Sequence, residues 1–209
     1  MRALSKLMCG AALAAAPLAS PALAATSIYV DAQANIFAAG LGSIPAAGGG
    51  AGILPPSLGV SGGQTLTITA SGQADPGGGY GAHGPDGFSL TSNITNATGS
   101  SIGNFTDPMS LALLGVFTGS GAGVDTIFKI GSGGTFSVPT GATALYLGFA
   151  DAYGFQGTSG YYADNTGGFT ALISGAGGVP EPATWAMMIM GFGMVGAGLR
   201  IRFRRAATA

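Results

Sequence analysis

Residues 64–71 read Gln-Thr-Leu-Thr-Ile-Thr-Ala-Ser, and they show the most regular alternation in the chain. Leu66, Ile68 and Ala70 would lie on one side of a strand, and the threonines between them on the other. A period of two residues with one apolar side is typical of a half-buried antiparallel strand. This stretch therefore predicts a sheet with one face against a core and the other in solvent.

Similar segments follow at intervals of roughly 8–15 residues. In residues 144–150 the apolar side chains at 145, 147 and 149 share one side, and in residues 168–174 Phe169, Ala171 and Ile173 do. Further strands are predicted from Ser27 onwards and at 88–90, 111–118, 126–130 and 135–138. Glycine-rich turns separate them. The pattern predicts an all-β fold, an antiparallel β-sandwich.

The first 24 residues have the layout of a signal peptide. Arg2 and Lys6 precede an apolar stretch at 7–18, and Ala22-Leu23-Ala24 provides a small-residue cleavage site. We expect cleavage before Ala25. The only cysteine, Cys9, lies inside this segment, so the mature chain would contain no disulfide.

The last stretch, 179–209, reads as a membrane segment with a basic end. Pro180, Glu181 and Pro182 come before an apolar run at 183–199, which has Trp185 near its start and is followed by Arg200, Arg202, Arg204 and Arg205. At ~1.5 Å per residue the run gives roughly 26 Å of helix, just enough to cross a hydrocarbon core. The arginines predict a single transmembrane helix with its C-terminal end in the cytoplasm.

This order of features resembles a PEP-CTERM sorting tail. The resemblance implies processing by an exosortase, transient anchorage in the inner membrane, and a final place in the cell envelope or outside the cell. The predicted organisation is a signal peptide at 1–24, a first strand and a Gly-, Ala- and Pro-rich loop at 25–63, the sandwich body at 64–178, and the sorting tail at 179–209.

The charge of the predicted mature domain is acidic. Between residues 25 and 180 there are seven Asp against one Lys, Lys129, which gives a formal charge of −6. Such a domain has too few cationic groups to bind nucleic acid through its phosphates. Aspartates in glycine-rich loops are either calcium ligands or solvated turn residues, and composition leaves both open.

Four short motifs follow one another through the sandwich body. They are a glycine-rich loop with Gly84-Pro85-Asp86-Gly87, the turn Lys129-Ile130-Gly131, the strand end Leu147-Gly148-Phe149-Ala150-Asp151, and the loop Asp164-Asn165-Thr166-Gly167-Gly168-Phe169. In this order they resemble the PA-IL-like family of small calcium-dependent galactose-binding lectins. The resemblance implies a lectin-like sandwich of the jelly-roll type that binds Ca²⁺ and a galactose-type or other polysaccharide.

The resemblance also implies a ligand set. Asp151, Asp164 and Asn165 would hold the ion with their side chains, helped by main-chain oxygens near Tyr161 and near Asp75 or Pro76. His83 would contact the sugar, together with tyrosines of the 152–163 loop such as Tyr162. This loop is longer than in the family, and Asp164 stands where the family has an amide.

The residues support a cation site independently of the family. Asp151 ends one predicted strand and Asp164-Asn165 precede another, so the three side chains would meet if the two strands are neighbours. Adjacent carboxylates repel each other unless they are protonated or bound to a metal. Carboxylate and amide oxygens are also the ligands that Ca²⁺ prefers.

We therefore expect an exported calcium-binding protein with carbohydrate as its ligand, and not an enzyme. The rival expectation is a structural protein of the biofilm or extracellular matrix without a small-molecule ligand. An envelope hydrolase ranks last, because the sequence identifies no catalytic pair.

Overall fold

The computed structural model describes residues 25–44, 52–90, 92–95, 102, 105–107, 110–151, 155–156, 161–175 and 188–193. Within them the chain forms strands in the order β1 (Thr26–Asp31), β2 (Ser57–Gly59), β3 (Thr65–Asp75), β4 (Ser92–Thr95), β5 (Phe105–Asp107), β6 (Leu114–Gly119), β7 (Ile127–Lys129), β8 (Gly133–Ser137), β9 (Ala142–Gly148), β10 (Phe155–Gln156) and β11 (Thr166–Ser174). A short 3₁₀ helix at Ile36–Ala38 follows β1.

Two four-stranded antiparallel sheets form the body of the fold. The first sheet has the order β1-β11-β3-β8 and the second β2-β9-β6-β7, which is consistent with a β-sandwich and confirms the predicted fold class at that level. A small third sheet, β10-β4-β5, contains a parallel pair between β10 and β4.

The strand predicted from residues 64–71 is the centre of the first sheet. It runs longer than predicted, as β3, and pairs with β11 on one side and β8 on the other. Leu66 and Ile68 are buried, while Thr65, Thr67 and Thr69 are exposed, as the alternation predicted. Large aliphatic side chains that are fully buried in this way each contribute about 1.5–3 kcal/mol to stability.

Strand β6 of the second sheet is buried on both faces from Leu114 to Phe117. Phe117 of β6 packs in the core between the sheets, whereas Leu114 and Val116 belong to a second cluster with Ile36 and Phe37 of the 3₁₀ helix. The Phe37 ring meets Phe105 edge-on at 6.4 Å. The 3₁₀ segment therefore acts as a cover over the outer side of this sheet.

One predicted strand differs from the structure, and two predicted segments lie largely outside the described residues. The strand predicted at 88–90 and its surroundings is displaced, because Phe88 makes an isolated bridge with Ser110 and β4 begins at Ser92. The predicted signal peptide lies outside the described residues, as does the predicted membrane segment except for a helical turn at 188–193. Within the described part of the chain, no helix has both the length and the apolar character needed to span a membrane.

Candidate functional site

The predicted ligand residues Asp151, Asp164 and Asn165 come together at one end of the sandwich. The pKa of Asp151 is raised from 3.8 to about 7, chiefly by burial; a hydrogen bond with the Asn165 side chain lowers it, and the Asp164 carboxylate raises it further. Both neighbours therefore lie close to the Asp151 carboxylate.

The convergence has a different cause from the one expected. The strands β9 and β11, which flank Asp151 and Asn165, belong to different sheets and are not hydrogen-bonded neighbours. The last residues of β9 and the first residues of β11 lie at the same end of the sandwich, where Phe149 and Phe169 pack with ring centroids 5.2 Å apart. The site thus bridges the two sheets.

Two oxygen atoms in this cluster are buried without a partner among the described residues. They are Asp151 Oδ2 and Asn165 Oδ1. The Asn165 side-chain nitrogen Nδ2 donates to the carbonyl of Ala32 at 3.0 Å. Because this carbonyl can only accept, the contact distinguishes Nδ2 from Oδ1 in the Asn165 amide. Asn165 is only 2% exposed, so its free oxygen points into protein rather than into solvent.

The loop that carries Asn165 is fastened to the segment after β1. Gln33 Nε2 donates to the carbonyls of Ala163 and Asn165, at 3.4 and 3.2 Å. The backbone of Ala32 donates to Gly167 O at 3.0 Å. These contacts hold the loop in place without using the side chains of Asp151 and Asp164.

The buried Tyr162 takes part in the same hydrogen-bond network. Its hydroxyl accepts from the Asp151 amide at 3.2 Å and lies 3.0–3.1 Å from Phe149 O and Asn35 Oδ1, to either of which it can donate. It is 0% exposed. This burial corrects the expectation that Tyr162 contacts a sugar, because the ring has no free face, and gives Tyr162 a role in positioning Asp151.

Tyr161, predicted to supply a main-chain oxygen, is half-exposed and has a φ of 78°. This left-handed conformation is unfavourable for an aromatic residue and is found mostly where the surrounding structure enforces it, often at functional sites.

Asp75 ends β3 opposite Thr166, and its carboxylate accepts from Gly77 N at 2.9 Å. The backbone at Gly77 then passes against Asp164, so closely that a Cβ there would collide with the Asp164 carboxylate. The predicted second main-chain contributor, around Asp75 and Pro76, therefore adjoins the cluster. Among the described residues, no three His, Cys, Asp or Glu side chains gather at one point. The cluster consists of the Asp151 and Asp164 carboxylates and the Asn165 amide.

His83 lies beside this loop. Its backbone exchanges two hydrogen bonds with Ala74, at 2.8 and 3.0 Å, and its ring stacks on Phe88 at 4.5 Å. Tyr80, which is 56% exposed, packs on the same phenylalanine at 5.4 Å. Neither Tyr80 nor Phe88 was predicted as a contact residue, although Tyr80 precedes His83 by three residues in the glycine-rich loop.

Comparison with known proteins adds two findings. Residues 178–205 match the PEP-CTERM protein-sorting motif, which confirms the predicted tail and includes Pro180, Glu181 and Pro182. The motif indicates export and an envelope or extracellular location reached through an exosortase.

No curated protein matches the chain. Among solved structures, one match is the EclA N-terminal domain, described as a PllA-like lectin, which is 21% identical in sequence to this chain. The match covers 71% of this chain and 93% of the EclA domain, with a TM-score of 0.42.

Proposed function

We propose that the sandwich binds one Ca²⁺ ion through Asp151, Asp164 and Asn165. The observation that carries this proposal is the pair of buried, unpartnered oxygens, Asp151 Oδ2 and Asn165 Oδ1. A buried oxygen without a hydrogen bond costs about 1–3 kcal/mol, and more when it is charged. A hard cation at about 2.4 Å would satisfy both oxygens at once and neutralise the two neighbouring carboxylates.

The remaining ligands in this proposal are main-chain oxygens. Ca²⁺ takes about six to eight oxygen ligands, which the three side chains alone do not provide. The strained Tyr161 and the loop beginning at Asp75, which passes against Asp164, are the sources that we propose. When bound, the ion supplies further coordination positions to hydroxyl oxygens from outside the protein.

The ligand that we propose is carbohydrate of the galactose type, as the sequence resemblance to the PA-IL-like family implies, recognised by a lectin-like sandwich. Tyr80, Phe88 and His83 form a connected group of rings next to the Asp75 loop, and the apolar face of a sugar ring packs well against such groups. This is a binding function without catalysis, carried out in the envelope or the extracellular matrix. The tail would hold the protein in the inner membrane until exosortase processing.

Thermal unfolding of the full chain tests the calcium site. The protein is held in a non-ionic detergent without sugar head groups and is heated with excess Ca²⁺ or with a chelator. At a hundredfold excess over the dissociation constant, Ca²⁺ should stabilise the fold by about 2.7 kcal/mol, which is about 5–10 °C in midpoint. Asp151→Asn should abolish the increase.

Asp125→Asn is the matched control. It removes the same charge from a loop residue with φ 56°, a conformation that asparagine tolerates, and should leave the response to Ca²⁺ unchanged. A midpoint that does not move with Ca²⁺ would remove the calcium site and leave the structural matrix protein as the better description. If the midpoint moves, glycan binding is then measured with and without chelator.

A further inference from the structure

The outer face of the first sheet carries an array of hydroxyl groups on three neighbouring strands. Three pairs of exposed hydroxyl residues lie directly opposite each other on adjacent strands: Thr65 with Ser137, Thr67 with Thr135, and Ser71 with Thr170. Neighbouring strands are about 4.8 Å apart and alternate residues about 6.8 Å apart along a strand. The array is interrupted beside Thr69, which lies between Leu172 and Gly133.

These hydroxyls are free to bind something outside the protein. Within the described residues, the hydrogen bond from Ser174 Oγ to Thr67 O, at 3.4 Å, is the one that a hydroxyl of this face makes to the protein. Threonine side chains have few rotamers, so little conformational entropy is lost when their hydroxyls bind a partner. Each hydroxyl can both donate and accept.

Away from the end of the sheet at Asp31 and Asp75, the face carries no charged side chain although the domain is acidic. The strands β1, β3, β8 and β11 carry charged side chains only at Asp31 and Asp75, which end β1 and β3 next to the cation cluster. A nucleic acid or a charged protein would find no complementary group on the rest of this face. The absence of charge matches a neutral partner.

The apolar content of the face is too small for a second copy of the chain. Stable protein interfaces bury about 800 Å² on each partner around an apolar centre. Here the large exposed apolar side chains are Tyr29 and Leu172. Tyr29 lies opposite Thr170 at the edge of the hydroxyl array, where its ring can stack on a sugar.

We propose that this face is a second carbohydrate-binding surface, which contacts the surface of a neutral, insoluble polysaccharide and needs no cation. This surface is separate from the proposed cation site, because the array lies along the outer side of the first sheet. Asp151, Asp164 and Asn165 lie instead at one end of the sandwich, between the two sheets.

The test is co-sedimentation of the full chain, in detergent without sugar head groups, with microcrystalline cellulose in the presence of EDTA. The double variant Thr67→Val/Thr135→Val removes two opposing hydroxyls while keeping β-branched shapes. Each lost hydrogen bond weakens binding about fivefold, so the double variant should bind about 25-fold more weakly. The control Thr126→Val/Thr143→Val changes two exposed threonines outside the array and should bind like the wild type.

Three results would overturn the proposal: no sedimentation in EDTA, equal binding by the two double variants, or a change in oligomeric state caused by Thr67→Val/Thr135→Val. Unfolding midpoints verify that both variants fold, and Thr69→Lys provides an independent disruption of the same array. Asp151→Asn should sediment normally. Sedimentation that requires Ca²⁺ and is lost in Asp151→Asn would support the calcium-dependent site and refute this second surface.

Discussion

Replacing Asp151 by asparagine should stabilise the metal-free protein at alkaline pH. The buried carboxyl has a pKa of about 7 in the folded chain and 3.8 in its ordinary state. One pKa unit corresponds to about 1.4 kcal/mol, so the ionised carboxylate opposes folding by about 4 kcal/mol above pH 7. Asparagine fills the same space without the charge.

The sign of the pH dependence follows from the raised pKa. Between about pH 4 and pH 7 the folded Asp151 holds its proton while the unfolded Asp151 has lost it. In chelator, this group should therefore lower stability steadily as the pH rises through that window, and the loss should level off above pH 7. At pH 4.5 the Asp151→Asn and wild-type proteins should differ by less than about 1 kcal/mol, and at pH 8 the variant should be more stable by about 2–4 kcal/mol.

Urea unfolding with linear extrapolation at pH 4.5 and pH 8, in chelator, measures both differences. Asp125→Asn serves again as the control and should shift stability by no more than about 0.5 kcal/mol at either pH. If Asp151→Asn is less stable than the wild type at pH 8, the carboxylate contributes favourable interactions to the metal-free fold. The reasoning from its burial and from Asp164 would then be refuted.

Three further predictions concern the surroundings of the cluster. Gly77→Ala should lower the free energy of unfolding in urea by at least about 1–2 kcal/mol more than Gly79→Ala does, and it should abolish the response to Ca²⁺. Both glycines have positive φ, but only Gly77 adjoins Asp164. Equal losses of stability would show that the loop can move aside. Tyr162→Phe should lower the free energy of unfolding by about 1–3 kcal/mol, since it removes the hydroxyl that accepts from the Asp151 amide. An unchanged stability would contradict the positioning role. Tyr80→Ala should weaken glycan binding about three- to tenfold in titration calorimetry, while the Ca²⁺-dependent shift of the unfolding midpoint stays the same. A loss of that shift would mean that the ring supports the cation site instead.

The alternating segments were predictable because one of their faces meets solvent. In β3 each inward apolar residue is followed by an outward polar or small one, and β11 departs from this pattern only at the exposed Leu172, so the period of two is visible in the sequence. The stretch 111–117 is different, because Leu114 and Val116 pack under the 3₁₀ helix while Leu113 and Phe117 pack between the sheets. A strand buried on both faces shows an unbroken apolar run, and its partners cannot be read from periodicity.

The candidate site was predictable as a set of residue types, but its geometry was not. Asp151 and Asn165 meet across two sheets through contacts that connect Gln33 and Asn35 to residues about 130 positions away in the chain. The sequence offers no local signal for such contacts. The burial of Tyr162 was missed for the same reason, since a tyrosine in a loop rich in aromatic residues gives no sign of which ring points inward.

The pairing of β1 with β11 places the beginning and the end of the sandwich side by side. Thr26 lies opposite Ile173, while Asp31 lies opposite Gly168 at the other end of the same two strands, next to the cluster. The nine residues of β11 span roughly 30 Å. The sorting motif starts at residue 178, only a few positions after Gly175. The chain therefore leaves the sandwich towards the motif from the end of β11 opposite to Asp151, so an anchor or a cut in the motif does not require the Asp151 end to change.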